Sequence, residues 1–381
     1  MEDAPVLFEV LPAVAGKGVG VVTLNAEKTL NSLSLPMIEL VGARLRLWRE
    51  DPDIAIVVLQ GAGERAFSAG GDIQDLYQSM CEHPGGPNPY ADAFFEQEYR
   101  LDYFIHTFPK PVLVWAQGFV MGGGLGVMAA CSHRIGTVDS RIAMPEITIG
   151  LFPDAGATWF LTHMPRHFAY FLAWTGSHIN AVDGKQVGFI DHLITLDCKP
   201  AVTTALQETP WTGDPEKNEL LVSELLGRFE ARGEGFPPGM LASHEGRIKA
   251  LIEPCHDADR PAVAFNSRLD QLDPGDQWLT RAVATFRQGS PTTAHIIAHQ
   301  IERATGLTLE AIFQLELTIA IQCSRHPDFA EGIRALLIDR DGKPDWHFRN
   351  LESVDESWVE AHFKLPFKGD HPLADLGGST D

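Results

Sequence analysis

Two glycine-rich segments are the first parts of this sequence that could do chemistry. Residues 67–72 are Phe-Ser-Ala-Gly-Gly-Asp, and residues 121–126 are Met-Gly-Gly-Gly-Leu-Gly, followed by an apolar helical stretch at 127–130. Glycine lets the backbone approach a ligand closely but disfavours a helix interior. Glycines at a helix start therefore indicate a need for exposed N–H groups, which can hold an oxyanion or a phosphate. A tight turn in the first segment and close helix packing in the second are the structural alternatives.

Two carboxylates follow these segments. Glu146 and Asp154 are the charged residues of the stretch 143–156, which is otherwise apolar or small. A carboxylate in apolar surroundings tends to have a raised pKa, which suits a general acid or base near neutral pH. One such residue is more often a helix cap or a solvated loop acid, but that explanation loses weight for two together.

Other chemical motifs are absent or incomplete. The G-x-G-x-x-G and G-x-x-x-x-G-K-[ST] spacings do not occur, and the five cysteines contain no CxxC pair. Residues 66–70 imitate a G-x-S-x-G nucleophile elbow around Ser68, with its first glycine replaced. A serine thioesterase is therefore an alternative, which we disfavour because the glycine pair beside Ser68 already fits an oxyanion-binding loop.

The pattern of elements predicts an α/β fold. β-branched or apolar runs predict buried strands, and Ser34 with Pro36 predicts a helix start whose apolar side carries Met37, Leu40, Val41, Leu47 and Trp48. The predicted strands are residues 20–24, 54–59, 111–116, 134–138 and 141–144. After about residue 200 helical patterns dominate, at 219–232, 243–252, 293–304 and 309–323. We therefore predict an α/β core over 1–200 and a mostly helical region over 201–381.

Composition limits the partners. The 381 residues are 44% hydrophobic, enough for a large core, and carry a net charge of −21. This charge argues against nucleic acid or an anionic membrane as the main partner, although a local cation can still hold a phosphate. Scattered cysteines indicate a reducing compartment. The acidic N-terminal residues 1–5 resemble neither a basic leader nor a signal core, so a cytoplasmic location is predicted.

The order and spacing of these segments resemble those of the crotonase (enoyl-CoA hydratase/isomerase) superfamily over roughly the first 190 residues. Residues 23–25, 30–33 and 172–176 add to the resemblance. It implies a ClpP/crotonase-like α/β fold of repeated ββα units, here with a helical C-terminal region. It also implies an oxyanion hole made by the N–H groups of Gly71 and Gly123. Losing one such donor costs on the order of 3 kcal/mol of transition-state stabilisation.

The acids favour one branch of that superfamily. Hydratases carry a glutamate two residues after the triple glycine, where this chain has Gly126. Residues 94–99, 143–146, 150–154 and 328–339 are instead similar to the 3-hydroxyisobutyryl-CoA hydrolases. That resemblance implies that Glu146 attacks the thioester carbonyl or activates water against it. Asp154 would position the acyl hydroxyl or carry a proton to the thiolate, and Glu98 would hydrogen-bond the 3-hydroxyl.

The expected reaction is hydrolysis of a short-chain 3-hydroxyacyl-CoA, first of all 3-hydroxyisobutyryl-CoA, a step of valine breakdown. Lys28 and the backbone of Ala69, Gly70 and Gly71 are expected to contact coenzyme A, although residues 26–28 are Ala-Glu-Lys where the family usually has Arg-Pro-Lys. No metal and no cofactor are expected, because coenzyme A is part of the substrate. Crotonases commonly associate through C-terminal helices, so a homo-oligomer is compatible with the sequence.

Two alternatives come from other classes. An enoyl-CoA hydratase or isomerase is the first, since Glu146 alone could serve an isomerase, whereas Gly126 argues against a hydratase. A non-catalytic acyl-CoA-binding protein is the second, and the joint presence of Glu98, Glu146 and Asp154 argues against it.

Overall fold

The computed structural model of the protein describes residues 4–231, 235–272 and 275–378. The chain packs as two compact units, each made of three separate stretches. The first unit takes the chain up to Gly71, then Arg100–Ile142 and Ile179–Met240. The second takes Asp72–Tyr99, Ala143–His178 and the chain from Leu241 onward. This division by packing does not follow the predicted boundary at residue 200, which rests on the change of secondary structure.

The strands and helices of the described residues are numbered in chain order. The strands are β1 (Val6–Pro12), β2 (Gly18–Leu24), β3 (Ile54–Gly61), β4 (Ala66–Ser68), β5 (Val112–Ala116), β6 (Phe119–Met121), β7 (His133–Gly136), β8 (Arg141–Ala143) and β9 (His192–Leu193). The α-helices are α1 (Leu35–Glu50), α2 (Ile73–Glu82), α3 (Pro89–His106), α4 (Gly123–Ala130), α5 (Ala157–His163), α6 (Arg166–Thr175), α7 (Ala181–Val187), α8 (Lys199–Glu208), α9 (Pro215–Gly227), α10 (Met240–Ile252), α11 (Pro261–Arg268), α12 (Gln277–Gln288), α13 (Pro291–Ala304), α14 (Leu309–Arg325), α15 (Pro327–Ile333) and α16 (Glu356–Ala361).

Two sheets organise the first unit. The larger has the strand order β1-β2-β3-β5-β7-β9, with β1 antiparallel to β2 and the other neighbours parallel. The smaller contains β4, β6 and β8. Parallel strands are covered on both faces, which explains why residues 54–59 form an unbroken apolar run that is buried throughout.

The core of the first unit lies against one face of the larger sheet. Side chains from β2, β3 and β5 meet apolar residues of α8 and α9, and both helices follow residue 198 in the chain. Examples are Ile56 and Trp115 from the sheet, and Val202 and Leu225 from the helices, all at most 3% exposed. Burial of these apolar side chains is the main force that holds the helices on the sheet.

The second unit is mainly helical. Its core contains Trp174 of α6, whose ring is stacked on Phe265 at 4.9 Å between centroids, with Phe286 at 6.0 Å. The indole N–H of Trp174 donates to the carbonyl of Ala294 at 2.9 Å, so this buried polar atom is satisfied. The short 3-10 helix Glu146–Ile149, which follows β8 in the chain, belongs to this unit.

Most predicted elements are present. The five predicted strands correspond to β2, β3, β5, β7 and β8, and the four predicted C-terminal helices to α9, α10, α13 and α14. Arg232, the predicted end of the first of these helices, lies outside the described residues. Ser34 is the residue before α1, as predicted. The predicted apolar face of α1 was wrong for Leu40 and Leu47, which are 41% and 66% exposed, because Ile38 and Leu45 face the core instead.

Candidate active site

The first glycine segment ends β4 in a tightly packed loop of the first unit. Gly70 has a φ of +105°, which side-chain-bearing residues rarely adopt. A Cβ atom there would lie 3.1 Å from the Met121 carbonyl oxygen and 3.7 Å from the Gly123 nitrogen. Gly70 is therefore required both by its backbone conformation and by the close approach of the second glycine segment.

The second glycine segment turns from β6 into α4. Gly122 precedes the helix with a φ of +52°, and a Cβ atom on Gly124 would lie 2.6 Å from the Ser68 Cβ and 2.7 Å from its hydroxyl oxygen. The two segments predicted to do chemistry are thus in direct contact within the first unit. Close packing, the structural alternative to ligand binding at this segment, is also observed, because Gly124 lies directly against Ser68.

The N–H groups of Gly71 and Gly123 donate no hydrogen bond in the turns and loops of the described residues. Gly123 is also the first residue of α4, where the helix dipole favours negative charge. Paired backbone amides are the arrangement that a developing oxyanion needs. The prediction that Gly71 and Gly123 form an oxyanion hole is compatible with this geometry and stays a prediction.

The neighbouring amides are already engaged. The Ala69 N–H donates to the Leu30 carbonyl at 3.0 Å, and the Gly70 N–H donates to the Ser68 hydroxyl at 3.3 Å. A contact of coenzyme A with Ala69 would therefore use its carbonyl oxygen rather than its N–H. Lys28 is exposed in a 3-10 turn, Glu27–Thr29, and its contact with coenzyme A stays a prediction.

A buried asparagine, Asn31, stabilises the loops beside the first glycine segment. No role was assigned to this residue from the sequence. Asn31 is 1% exposed, and its side-chain amide donates to the carbonyls of Ala62 and Ala66 at 3.0 Å each. Its side-chain oxygen accepts from the Ala26 N–H at 3.0 Å. One side chain thus joins the turn before Lys28 to the loop that leads into β4.

Ser68 lacks the surroundings of a nucleophile. It is fully buried, and among the described residues no histidine hydrogen-bonds to its hydroxyl, which instead accepts the Gly70 N–H. A nucleophile elbow exposes its serine and pairs it with a base. The geometry therefore argues against the serine thioesterase alternative.

The predicted acids lie together in the second unit. Glu98 of α3, Glu146 at the start of the 3-10 helix and Asp154 in the following loop are 3%, 4% and 6% exposed. One carboxylate oxygen of Glu98 and one of Glu146 have no hydrogen-bond partner among the described residues. Buried polar atoms are rarely left unsatisfied, so these two oxygens are candidates to bind a ligand.

Burial and mutual repulsion raise the pKa values of these acids. Burial, with the nearby charge of Asp154, holds the pKa of both Glu98 and Glu146 well above that of a free glutamate. Burial raises the pKa of Asp154 to about 6, against a hydrogen bond from Tyr99 that lowers it. The Tyr99 hydroxyl donates to the Asp154 carboxylate at 2.6 Å. The raised pKa values make all three carboxylates stronger bases than free ones, which suits acid–base or nucleophilic chemistry.

Three residues around these acids were not singled out from the sequence. They are Tyr99, Gln300 and Glu316, each fully buried. Tyr99 belongs to the segment 94–99, in which only Glu98 was predicted to have a role. Glu316 offered a signal, because it is an acid within the buried stripe of α14, between Phe313 and Leu317.

The comparisons with known proteins agree over nearly the whole chain. A family model described as enoyl-CoA hydratase/isomerase matches residues 19–363. A relative from Danio rerio, named 3-hydroxyisobutyryl-CoA hydrolase, mitochondrial, is 32% identical over 359 residues, which cover 93% of this chain and 89% of that protein.

Two solved structures share the fold. A carnitinyl-CoA dehydratase from Mycobacterium thermoresistibile is 30% identical with a TM-score of 0.82, covering 98% of this chain and 100% of that chain. An enoyl-CoA hydratase from Rhodobacter sphaeroides is 29% identical with a TM-score of 0.79, covering 94% and 97%. They confirm the predicted crotonase-type α/β fold with its helical C-terminal region.

Location is a separate question. Within the described ranges, no helix combines the length and the apolar character needed to cross a bilayer. The name of the Danio rerio relative places that protein in mitochondria, and the cytoplasmic location of this chain stays a prediction.

Sequence, fold and the acyl-CoA enzymes it resembles agree on one assignment. The chain belongs to the enoyl-CoA hydratase/isomerase family, within the crotonase superfamily of enzymes.

Proposed function

We propose that this protein hydrolyses the thioester of a short-chain 3-hydroxyacyl-CoA, with 3-hydroxyisobutyryl-CoA as the first candidate and valine breakdown as its setting. The observation that carries the proposal is the buried group of Glu98, Glu146 and Asp154, combined with glycine at position 126. This set lacks the second glutamate of a hydratase but provides a nucleophile or base. The names of relatives such as the Danio rerio protein support the same substrate.

In the proposed reaction Glu146 acts on the thioester carbonyl. Its carboxylate attacks the carbonyl carbon, the Gly71 and Gly123 N–H groups hold the oxyanion, and the C–S bond breaks to give a mixed anhydride and the coenzyme A thiolate. Water then hydrolyses the anhydride and restores Glu146. Alternatively Glu146 takes a proton from a water molecule that attacks directly. Both routes need ionised Glu146, so its raised pKa makes the rate increase with pH as this proton is lost.

The other two acids would bind the acyl group and supply a proton to the leaving thiolate. Glu98 would accept a hydrogen bond from the 3-hydroxyl, which satisfies its unpaired oxygen. A buried group that expects a hydroxyl discriminates strongly against substrates that lack one. Asp154 would position the acyl group or carry the proton to the departing thiolate. Lys28 and the backbone from Ala69 to Gly71 would contact coenzyme A.

No metal or redox cofactor takes part in the proposed reaction, and activity should survive a chelator. The required experiment is a panel of short acyl-CoAs, with and without a 3-hydroxyl, followed by release of coenzyme A. Glu146→Gln keeps size but removes nucleophilicity and basicity, so the rate should fall at least ~10²-fold while binding survives. Ser68→Ala is the matched control for the serine mechanism and should retain activity.

Each alternative has its own outcome in this panel. Isomerised or hydrated enoyl-CoA without free thiol would favour the hydratase/isomerase. Tight binding of acyl-CoA without any turnover would favour a binding protein. Near-normal turnover of Glu146→Gln would reject the carboxylate mechanism.

A further inference from the structure

A buried glutamate of the C-terminal helices forms hydrogen bonds with the turn that carries Asp154. Glu316 of α14 is 0% exposed. Its two carboxylate oxygens accept the N–H groups of Gly156 at 2.7 Å and Thr158 at 2.9 Å. These two amides lie at the start of α5, where N–H groups have no partner within the helix. Glu316 therefore closes the helix start that directly follows Asp154.

A second buried side chain holds the other end of the same turn. Gln300 of α13, also 0% exposed, donates through its amide nitrogen to the Pro153 carbonyl and to the Thr158 hydroxyl, each at 2.6 Å. Helices α13 and α14, which are adjacent in sequence, therefore form hydrogen bonds with the turn on both sides of Asp154.

The turn needs such support because its backbone is strained. Ala155 has a φ of +54° and Gly156 a φ of +82°. A left-handed conformation is unfavourable for a residue with a Cβ atom, and it persists only where the surroundings enforce it. Ala155 is completely buried, and residues on both sides of it are hydrogen-bonded to Glu316 and Gln300.

We infer that Glu316 and Gln300 are positioning residues, which clamp the turn 153–158 and so hold the Asp154 carboxyl group in its working orientation. This inference rests on the proposed role of Asp154 in thioester hydrolysis. Neither residue needs to touch the substrate, because both act through the backbone of the turn.

The electrostatic surroundings agree with a clamp of this kind. The charged or titratable groups that act on Glu98, Tyr99, Asp154 and Glu316 are mainly one another. Burial raises the pKa of Glu316 to about 8, while its hydrogen bonds from Gly156 and Thr158 oppose that rise. These two hydrogen bonds favour the ionised form of Glu316, in which both oxygens accept.

The test compares Glu316→Gln with Glu302→Gln, an exposed glutamate of α13. Glutamine offers one acceptor oxygen where two are needed, so one of the two amides faces an N–H donor instead. We expect amide hydrogen exchange in the turn to become at least ~10-fold faster, since a buried hydrogen bond is lost. The kcat for release of coenzyme A should fall at least ~10-fold with KM changed less than ~3-fold, because orientation rather than binding is affected. Glu302→Gln should change neither quantity.

Unchanged exchange in the turn, or unchanged kcat, would overturn the inference. If Glu316→Gln does not fold, Gln300→Met tests the same clamp, and it should lower kcat with little change in KM. Wild-type kinetics in a folded Gln300→Met enzyme would then overturn it. A wild-type protein that releases no coenzyme A would instead reject the proposed function, and the exchange measurement would still report on the clamp.

Discussion

Replacing Tyr99 by phenylalanine should shift the pH dependence of the reaction upward. The change removes one hydroxyl from a fully buried ring and leaves its packing on Phe95 and Phe313 in place, at 5.9 and 6.1 Å between centroids. That hydroxyl donates to the Asp154 carboxylate at 2.6 Å and favours its ionised form. Without it the pKa of Asp154, now about 6, must rise.

The size of this shift follows from the strength of the hydrogen bond. A hydrogen bond to a charged group contributes about 1.5–3 kcal/mol, and about 1.36 kcal/mol corresponds to one pH unit. The limb of the kcat/KM profile that belongs to Asp154 should therefore move up by about one to two pH units. The direction is the same whether the reaction uses the ionised or the protonated acid.

The assay is the loss of thioester absorbance, which needs no thiol reagent and works across the pH range. Tyr90→Phe is the matched control, because the Tyr90 hydroxyl lies on the same helix but donates to Asp75 at 3.3 Å. Its profile should coincide with that of the wild type. A Tyr99→Phe enzyme with an unshifted profile would refute the assignment of that limb to Asp154.

Two further predictions concern stability and substrate binding. The folded-state pKa of Asp154, about 6, lies above the 3.8 of a free aspartate, so the wild type loses stability as pH rises through this interval, by up to about 3 kcal/mol. Urea unfolding gives the free energy of unfolding of Asp154→Asn and of the wild type at pH 4 and pH 8. The variant minus wild-type difference should be more favourable to the variant at pH 8 than at pH 4. An equal difference at both pH values would contradict this. Lys28→Ala should raise KM at low ionic strength, with the effect shrinking in salt because the side chain is exposed; an unchanged KM would place the phosphate contact elsewhere.

The local part of this structure could be predicted from the sequence. Residues 54–59 predict a buried parallel strand because they are uniformly apolar, and glycine runs predict tight backbone contacts because no other residue fits. Glu146 and Asp154 stand out because charge is rare around them. β1 was missed because six of its seven residues are exposed or half-buried in no regular alternation, as in an edge strand.

The contacts that define the acid group could not be predicted in this way. Glu316 and Gly156 are 160 residues apart, and Gln300 and Pro153 are 147 apart. No local pattern specifies which of the buried polar residues of the C-terminal helices meets which turn. The Tyr99 hydroxyl likewise finds Asp154 across 55 residues, and only the packed core selects it.

The long reach of these contacts also has a consequence for synthesis of the chain. The turn 153–158 leaves the ribosome well before Gln300 and Glu316, so its hydrogen bonds to these two side chains form only after α13 and α14 follow. Because domains generally fold as units and the second unit includes the chain from Leu241 onward, we expect this unit to complete its folding late in synthesis. A nascent chain halted before residue 300 should therefore carry Asp154 in an unfixed turn.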